Sequence, residues 1–175
     1  MKTRLIPVAV ALIVLFVAPA VVTAATWTID GAHSQVLFKV RHLGISTVTG
    51  KFGGFQGEFV FDPESIDKSS VTAQIDVATI DTGVADRDGH LKSEDFFNAT
   101  EFPNIVFQST SISDVQSDNF NIVGTLTIRG ITKDVVLECE LGGMATDPWG
   151  NEKIAFIATT AIDRQDYGLK WSKTL

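Results

Sequence analysis

From Trp27 onward apolar and polar residues alternate in one run after another, and Gly, Asn, Asp and Pro punctuate the runs. A side chain that changes face at each residue is the mark of a half-buried β-strand. Trp27 and Ile29 open the first run; in the next, Val36, Phe38, Val40 and His42 share one face while Lys39 and Arg41 take the other. That strand has a dry side and a wet side, and Trp27 to Leu43 counts as one bent unit. Thr47 to Phe61 reads as a long second strand. In it Phe52 and then Phe55, Phe59 and Phe61 fall out of simple alternation across Gly53-Gly54, which marks a bulge or a sharp bend. Val71, Ala73, Ile75 and Val77 alternate with Thr72, Gln74, Asp76 and Ala78 to give a third strand, after a turn at Asp62-Pro63-Glu64-Ser65.

Val84 to Phe97 breaks the pattern, because Leu91, Asp95 and Phe96 recur at helical spacing, and a short helix is predicted there, ended by Asn98 to Pro103. Strands resume at Ile105–Ile112, Phe120–Ile128, Lys133–Leu141 and Ile154–Ile162, with Arg129-Gly130-Ile131-Thr132 as a hairpin turn. Neighbouring strands joined by short turns describe an all-β, antiparallel up-and-down meander of seven strands with a helical insertion. Such a sheet avoids raw edges by closing into a barrel. A two-sheet sandwich fits the same strand count.

The start of the chain changes the picture. Lys2 and Arg4, the apolar run Leu5 to Val17 and the small-residue pattern Val22-Thr23-Ala24 predict a signal peptide over 1–24, cleaved after Ala24. One domain over 25–175 then folds outside the cytoplasm, in the periplasm or secreted, with no membrane span left behind. Without Lys2 and Arg4 the 14 basic residues become 12 against 21 acidic ones, a net charge of -9. So acidic a chain does not suit nucleic acid, whose phosphates demand a basic face. The single cysteine, Cys139, alternates with the apolar set of its strand and reads as a small buried hydrophobe. Most of the eleven phenylalanines after Phe16 fall on inward positions, beside small residues such as Ala73, Gly124 and Ala158. A packed interior and an apolar lumen have the same periodicity, so alternation alone leaves both open.

Several motifs in order resemble one family. Asp30-Gly31-Ala32-His33-Ser34, Val36 to His42, and Gly50-Lys51-Phe52 with Gly57 form its opening. Thr82-Gly83, Arg87-Asp88-Gly89-His90-Leu91 and Asp95-Phe96-Phe97 match its most distinctive segment, and Phe102-Pro103 with Phe107-Gln108-Ser109 continues it. Gly124 to Thr132 is similar to its hairpin, and Arg164-Gln165-Asp166-Tyr167-Gly168 to its late signature. The chain resembles the YceI-like family of lipid-binding proteins from about Trp27 to Gly168. The resemblance implies a lipocalin-like barrel of eight strands that holds a polyisoprenoid or isoprenoid-quinone tail, with no other cofactor, and often pairing into homodimers. The family pattern continues through a further loop and closing strand, so the chain, ending at Leu175, is expected to lack its final strand.

With that fold in mind, alternation predicts Phe38, Val40, Phe52, Ile75, Val77, Phe107, Leu126, Leu137 and Phe156 as lumen-lining residues, and His42 as a group at the lumen for a polar head. His33, Arg87, Asp88, His90, Arg164 and Asp166 are expected to serve as motif residues that hold the structure. The spacing of His33, His42 and His90 matches no metal motif. Arg87, Asp88 and His90 form the most catalytic-looking group, yet the same trio suits the tying of a helix start to a barrel rim. The chain has no nucleophile elbow and no phosphate-cradling glycine loop. A hydrolase, with Ser34 or Ser93 activated by His33 or His90, is therefore the weaker reading beside a non-enzymatic carrier; a stress-related structural module is the third.

Overall fold

The computed structural model describes residues 25–62 and 65–171. The expected signal peptide at 1–24, the middle of the turn at 62–65 and the end of the chain at 172–175 lie outside the described residues. The strands are β1 (Ala25–Thr28), β2 (Val36–His42), β3 (Ser46–Phe52), β4 (Phe55–Phe61), β5 (Ser70–Asp76), β6 (Ile80–Asp81), β7 (Asn104–Gln116), β8 (Asn119–Ile128), β9 (Ile131–Thr146) and β10 (Glu152–Thr159), with one helix, α1 (Ala85–Lys92). One sheet has the order β1-β4-β5-β7-β8-β9-β10 and the other β2-β3-β6, and all pairs are antiparallel.

The first two predicted units are the arms of a single bent hairpin. Val36 to His42 pairs with Phe52 to Ser46, and Ala25 to Thr28 pairs with Phe61 to Glu58. Gly53-Gly54 on one arm and the turn at 30–33 on the other bend both arms together, so the hairpin starts in the large sheet and ends in the small one. The long second strand expected over Thr47–Phe61 is thus two strands. The bend has a steric reason: a Cβ on Gly54 would lie 2.9 Å from the Thr79 methyl. β5 bends at the same level. Asp76 accepts from the Ala78 amide, and Val77–Thr79 forms a 3-10 turn that carries the chain to β6. The third strand therefore ends before Val77.

The remaining strands form the predicted meander with shifted ends. Asn104–Gln116 and Ile131–Thr146 run longer than expected, and β10 stops at Thr159 instead of Ile162. The hairpin turn narrows to Arg129-Gly130, with φ of 51° and 72°, the left-handed pair that a tight two-residue turn requires. Register shifts between Ser109 and Ser111 and between Ala155 and Phe156 mark bulges, which add curl.

The large sheet curls into a half-barrel. Phe59, on the second strand in the order, meets Phe156, on the last strand, with ring centroids 4.8 Å apart at 77°. Across the same gap Lys153 reaches the Asp30 carboxylate at 3.1 Å. Two hydrophobic clusters form the core. One gathers Phe52, Val77, Ile80, Ile105, Ile128, Tyr167 and Leu169, with α1 contributing Leu91. The other gathers Phe107, Ile112, Phe120, Ile122 and Cys139. Leu126 packs against both. Burial pushes the Cys139 thiol up to about 11, and the thiolate is the nucleophile. The native protein is expected to leave a thiol reagent unconsumed at about pH 8 and to react at one site per chain once unfolded in denaturant. Prompt native labelling would contradict this burial.

Candidate functional site

The concave face of the large sheet is built by strand alternation. Its central positions are Gly57 and Phe59 on β4, Val71 and Ala73 on β5, Phe107 on β7, Ile122, Gly124 and Leu126 on β8, Val135, Leu137, Cys139 and Leu141 on β9, and Phe156 on β10. Ser109 is the polar member, and its hydroxyl accepts the Val71 amide at 2.8 Å. Phe107, Phe120 and Ile122 are buried, whereas Phe59, Val71, Ala73, Leu126, Val135, Leu137, Leu141 and Phe156 are only half-buried. A sheet that curls this far and still leaves its inner face partly open offers a concave apolar surface with almost no charge. Such a surface can hold an apolar body by burial alone.

The predicted lining residues divide into three groups. Phe107, Leu137 and Phe156 meet on this face, with Leu126 at its boundary. Phe38, Phe52, Ile75 and Val77 pack into the other cluster, where the Phe52 ring lies tilted against Phe38 at 5.5 Å and meets Phe97 edge-on at 6.1 Å. Val77 is 1% exposed, enclosed by protein on all sides. Val40 and His42 join neither cluster. They share a face with Phe38, as alternation requires, but lie near the hairpin tip, where both are exposed. β6 pairs only with Lys51 and Phe52, so no third strand supports the hairpin there. The expectation of His42 at an enclosed lumen is corrected to a place on the outer hairpin.

Alternation alone undervalued the aromatic ring set. Phe59, Phe61 and Phe120 all contact Phe156, at 4.8, 5.9 and 6.1 Å. The out-of-step phenylalanines after Gly54 were the available signal. Trp27, on β1, stands opposite Phe59, and its indole N–H is buried without an acceptor among the described residues. Tyr167 and Leu169 were also missed as core residues. Arg164 fixes their segment by donating to the carbonyls of Leu169 and Trp171, the latter at 3.0 Å, with its guanidinium 5.8 Å from the Phe96 ring centre. Asp166 lies on the same 3-10 turn.

Arg87 and Asp88 both bond to Thr82, and His90 does not join them. Asp88 accepts from the Thr82 amide at 2.9 Å and from its hydroxyl at 2.5 Å, while Arg87 donates to the same hydroxyl at 2.7 Å and to the Thr82 carbonyl at 2.9 Å. These four bonds tie α1 to the end of β6. His90 faces elsewhere, bonded to Asp95 at 2.9 Å and edge-on to Trp171 at 4.8 Å. The Ser93 hydroxyl donates to the His90 carbonyl at 2.7 Å and not to its ring. His33 bonds Asp30 at 3.0 Å, and with Lys153 and the Ala32 amide it holds the Asp30 carboxyl well below the usual range. Among the described residues no three His, Cys, Asp or Glu side chains converge as metal ligands.

The family described as a YceI-like domain matches residues 27–175. A UPF0312 protein of Vibrio cholerae serotype O1 is 37% identical over 172 residues, covering 97% of this chain and 90% of that protein. A UPF0312 protein of Shewanella sp. (strain MR-4) is 37% identical over 155 residues, covering 87% and 81%. Among solved structures, the Campylobacter jejuni YCEI protein that crystallises with large solvent channels superposes with a TM-score of 0.67 at 37% identity, covering 81% of this chain and 83% of that one. Burkholderia cenocepacia BcnA superposes with a TM-score of 0.74 over 82% and 86%, at 24% identity, a likeness of fold.

Proposed function

Because this chain belongs to the YceI-like family, we propose that it binds and carries a long apolar lipid, of the polyisoprenoid or isoprenoid-quinone kind, against the concave face of its sheet. One observation supports this reading above the others: the inner face is apolar from Phe59 to Phe156, yet eight of its side chains keep part of their surface open although the sheet curls far enough for β4 and β10 to touch. Each methylene removed from water contributes roughly 0.8 kcal/mol before ordering costs, so a slender tail needs no specific hydrogen bonds to stay. The buried indole N–H of Trp27 is a donor suited to a head-group oxygen. The same reading places the carrier in the periplasm or outside the cell, on the strength of the leader pattern.

Native mass spectrometry of the protein purified without detergent tests the proposal. A co-purified isoprenoid is the expected result, and affinity for quinone analogues should rise steeply with each added isoprene unit, whose five carbons contribute up to about 4 kcal/mol before ordering costs, until the face is covered. An empty protein whose affinity ignores tail length would overturn it.

A further inference from the structure

The β2–β3 hairpin combines three features that the cargo reading does not use. Its tip is apolar and open: Leu43 is 59% exposed and Ile45 84%, with Leu37 at 56% and Val40 at 44% behind them. Its turn is stiff, since Leu43 and Gly44 take φ of 52° and 72° and the Arg41 guanidinium donates to the Gly44 carbonyl at 2.9 Å. Asn is the residue that suits such a first turn position, whereas here a bulky apolar side chain stands there with more than half of its surface exposed. Third, the hairpin is free of acid. No Asp or Glu occurs between Asp30 and Glu58 in a chain of net charge -7, while Lys39, Arg41 and Lys51 all fall in that interval. Lys51 is answered by Asp81 at 3.5 Å. Lys39 and Arg41 alternate onto one face of β2 with Leu37, directly behind the tip.

We propose that this hairpin is a docking finger that seats the protein on an anionic phospholipid surface. Leu43 and Ile45 enter the boundary between head groups and acyl chains, and Lys39 and Arg41 meet the phosphates above it. The charge distribution sets the orientation as well. An acidic body is repelled by an anionic bilayer, so the acid-free hairpin is the part that can approach. Docking needs no cargo and stands apart from the lipid-carrier reading.

The test places a fluorophore sensitive to its surroundings at Ile45→Cys in the full chain, with Ser111→Cys, exposed on β7, as the reference position. Cys139 is buried and takes no label. With vesicles of phosphatidylglycerol and phosphatidylethanolamine the emission at position 45 is expected to shift to the blue, with no shift at 111 and none with phosphatidylcholine vesicles. Lys39→Glu, which spares the Arg41 bond, should raise the lipid concentration for half-saturation about ten-fold, and added salt should do the same. A label that stays unchanged, an equal shift at position 111, or an equal response to phosphatidylcholine would overturn the proposal. So would a shift without vesicles that follows protein concentration, which would assign the tip to contact between two copies.

Discussion

Gly124→Val is expected to cost about 3 kcal/mol of stability and to lower the melting temperature by about 10 °C. Gly124 sits in the middle of β8, opposite Ser109 on one side and Val135 on the other. A Cβ built there would lie 2.4 Å from the Gln108 carbonyl oxygen and 2.7 Å from the Phe107 ring. A ring can turn aside, but the carbonyl belongs to the neighbouring strand and moves only with the sheet. The loss should appear in thermal or urea unfolding followed by circular dichroism. Gly89→Ala is the matched control. It lies in α1, where a Cβ meets nothing within 4 Å, and removing a helical glycine should gain about 0.5–1 kcal/mol. A Gly124 variant as stable as the parent would mean that the strands are not drawn this close.

Phe120→Ala should be the most damaging single truncation, at about 3–5 kcal/mol. Phe120 is 2% exposed, pairs with Cys139 on β9 and meets Phe156 edge-on. Phe156 in turn carries the contacts with Phe59 and Phe61 that hold the last strand against β4. Taking away Phe120 leaves a space that the surrounding strands cannot fill without uncurling. Urea titration gives the loss directly, and the slope of the transition shows whether the native state has also loosened. A cost near 1 kcal/mol would place Phe120 at a site that collapses freely.

Strand type and order were legible in the sequence, because alternation has no rival explanation over runs such as Val71–Asp76 or Phe120–Ile128. The corner was half legible. Gly53-Gly54 announced a bend, but nothing local says that β1 and β4 stay in one sheet while β2 and β3 leave for another; that division depends on tertiary pairing. Val77 shows the same limit, since it continues the apolar alternation of its strand while the backbone has already turned into a 3-10 helix under the Asp76 cap. Alternation assigns a face and says nothing of depth. Phe38 and Val40 therefore looked equivalent, although one packs on Phe52 and the other stands near an exposed tip. The late segment hid its buried residues, Tyr167 and Leu169, because a single 3-10 turn has too few residues to show a period.

The shared corner of the long hairpin also governs where the chain can change length. Seven residues, 29–35, join β1 to β2, whereas two, 53–54, join β3 to β4. An insertion in the longer connection can be taken up by its turn at 30–33. One extra residue beside Gly53 would instead invert every side chain from Phe55 to Phe61, turning Phe59 outward and Glu58 inward. Length variation among relatives should therefore collect in the first connection and spare the second, and an alignment with the opposite distribution would disprove this.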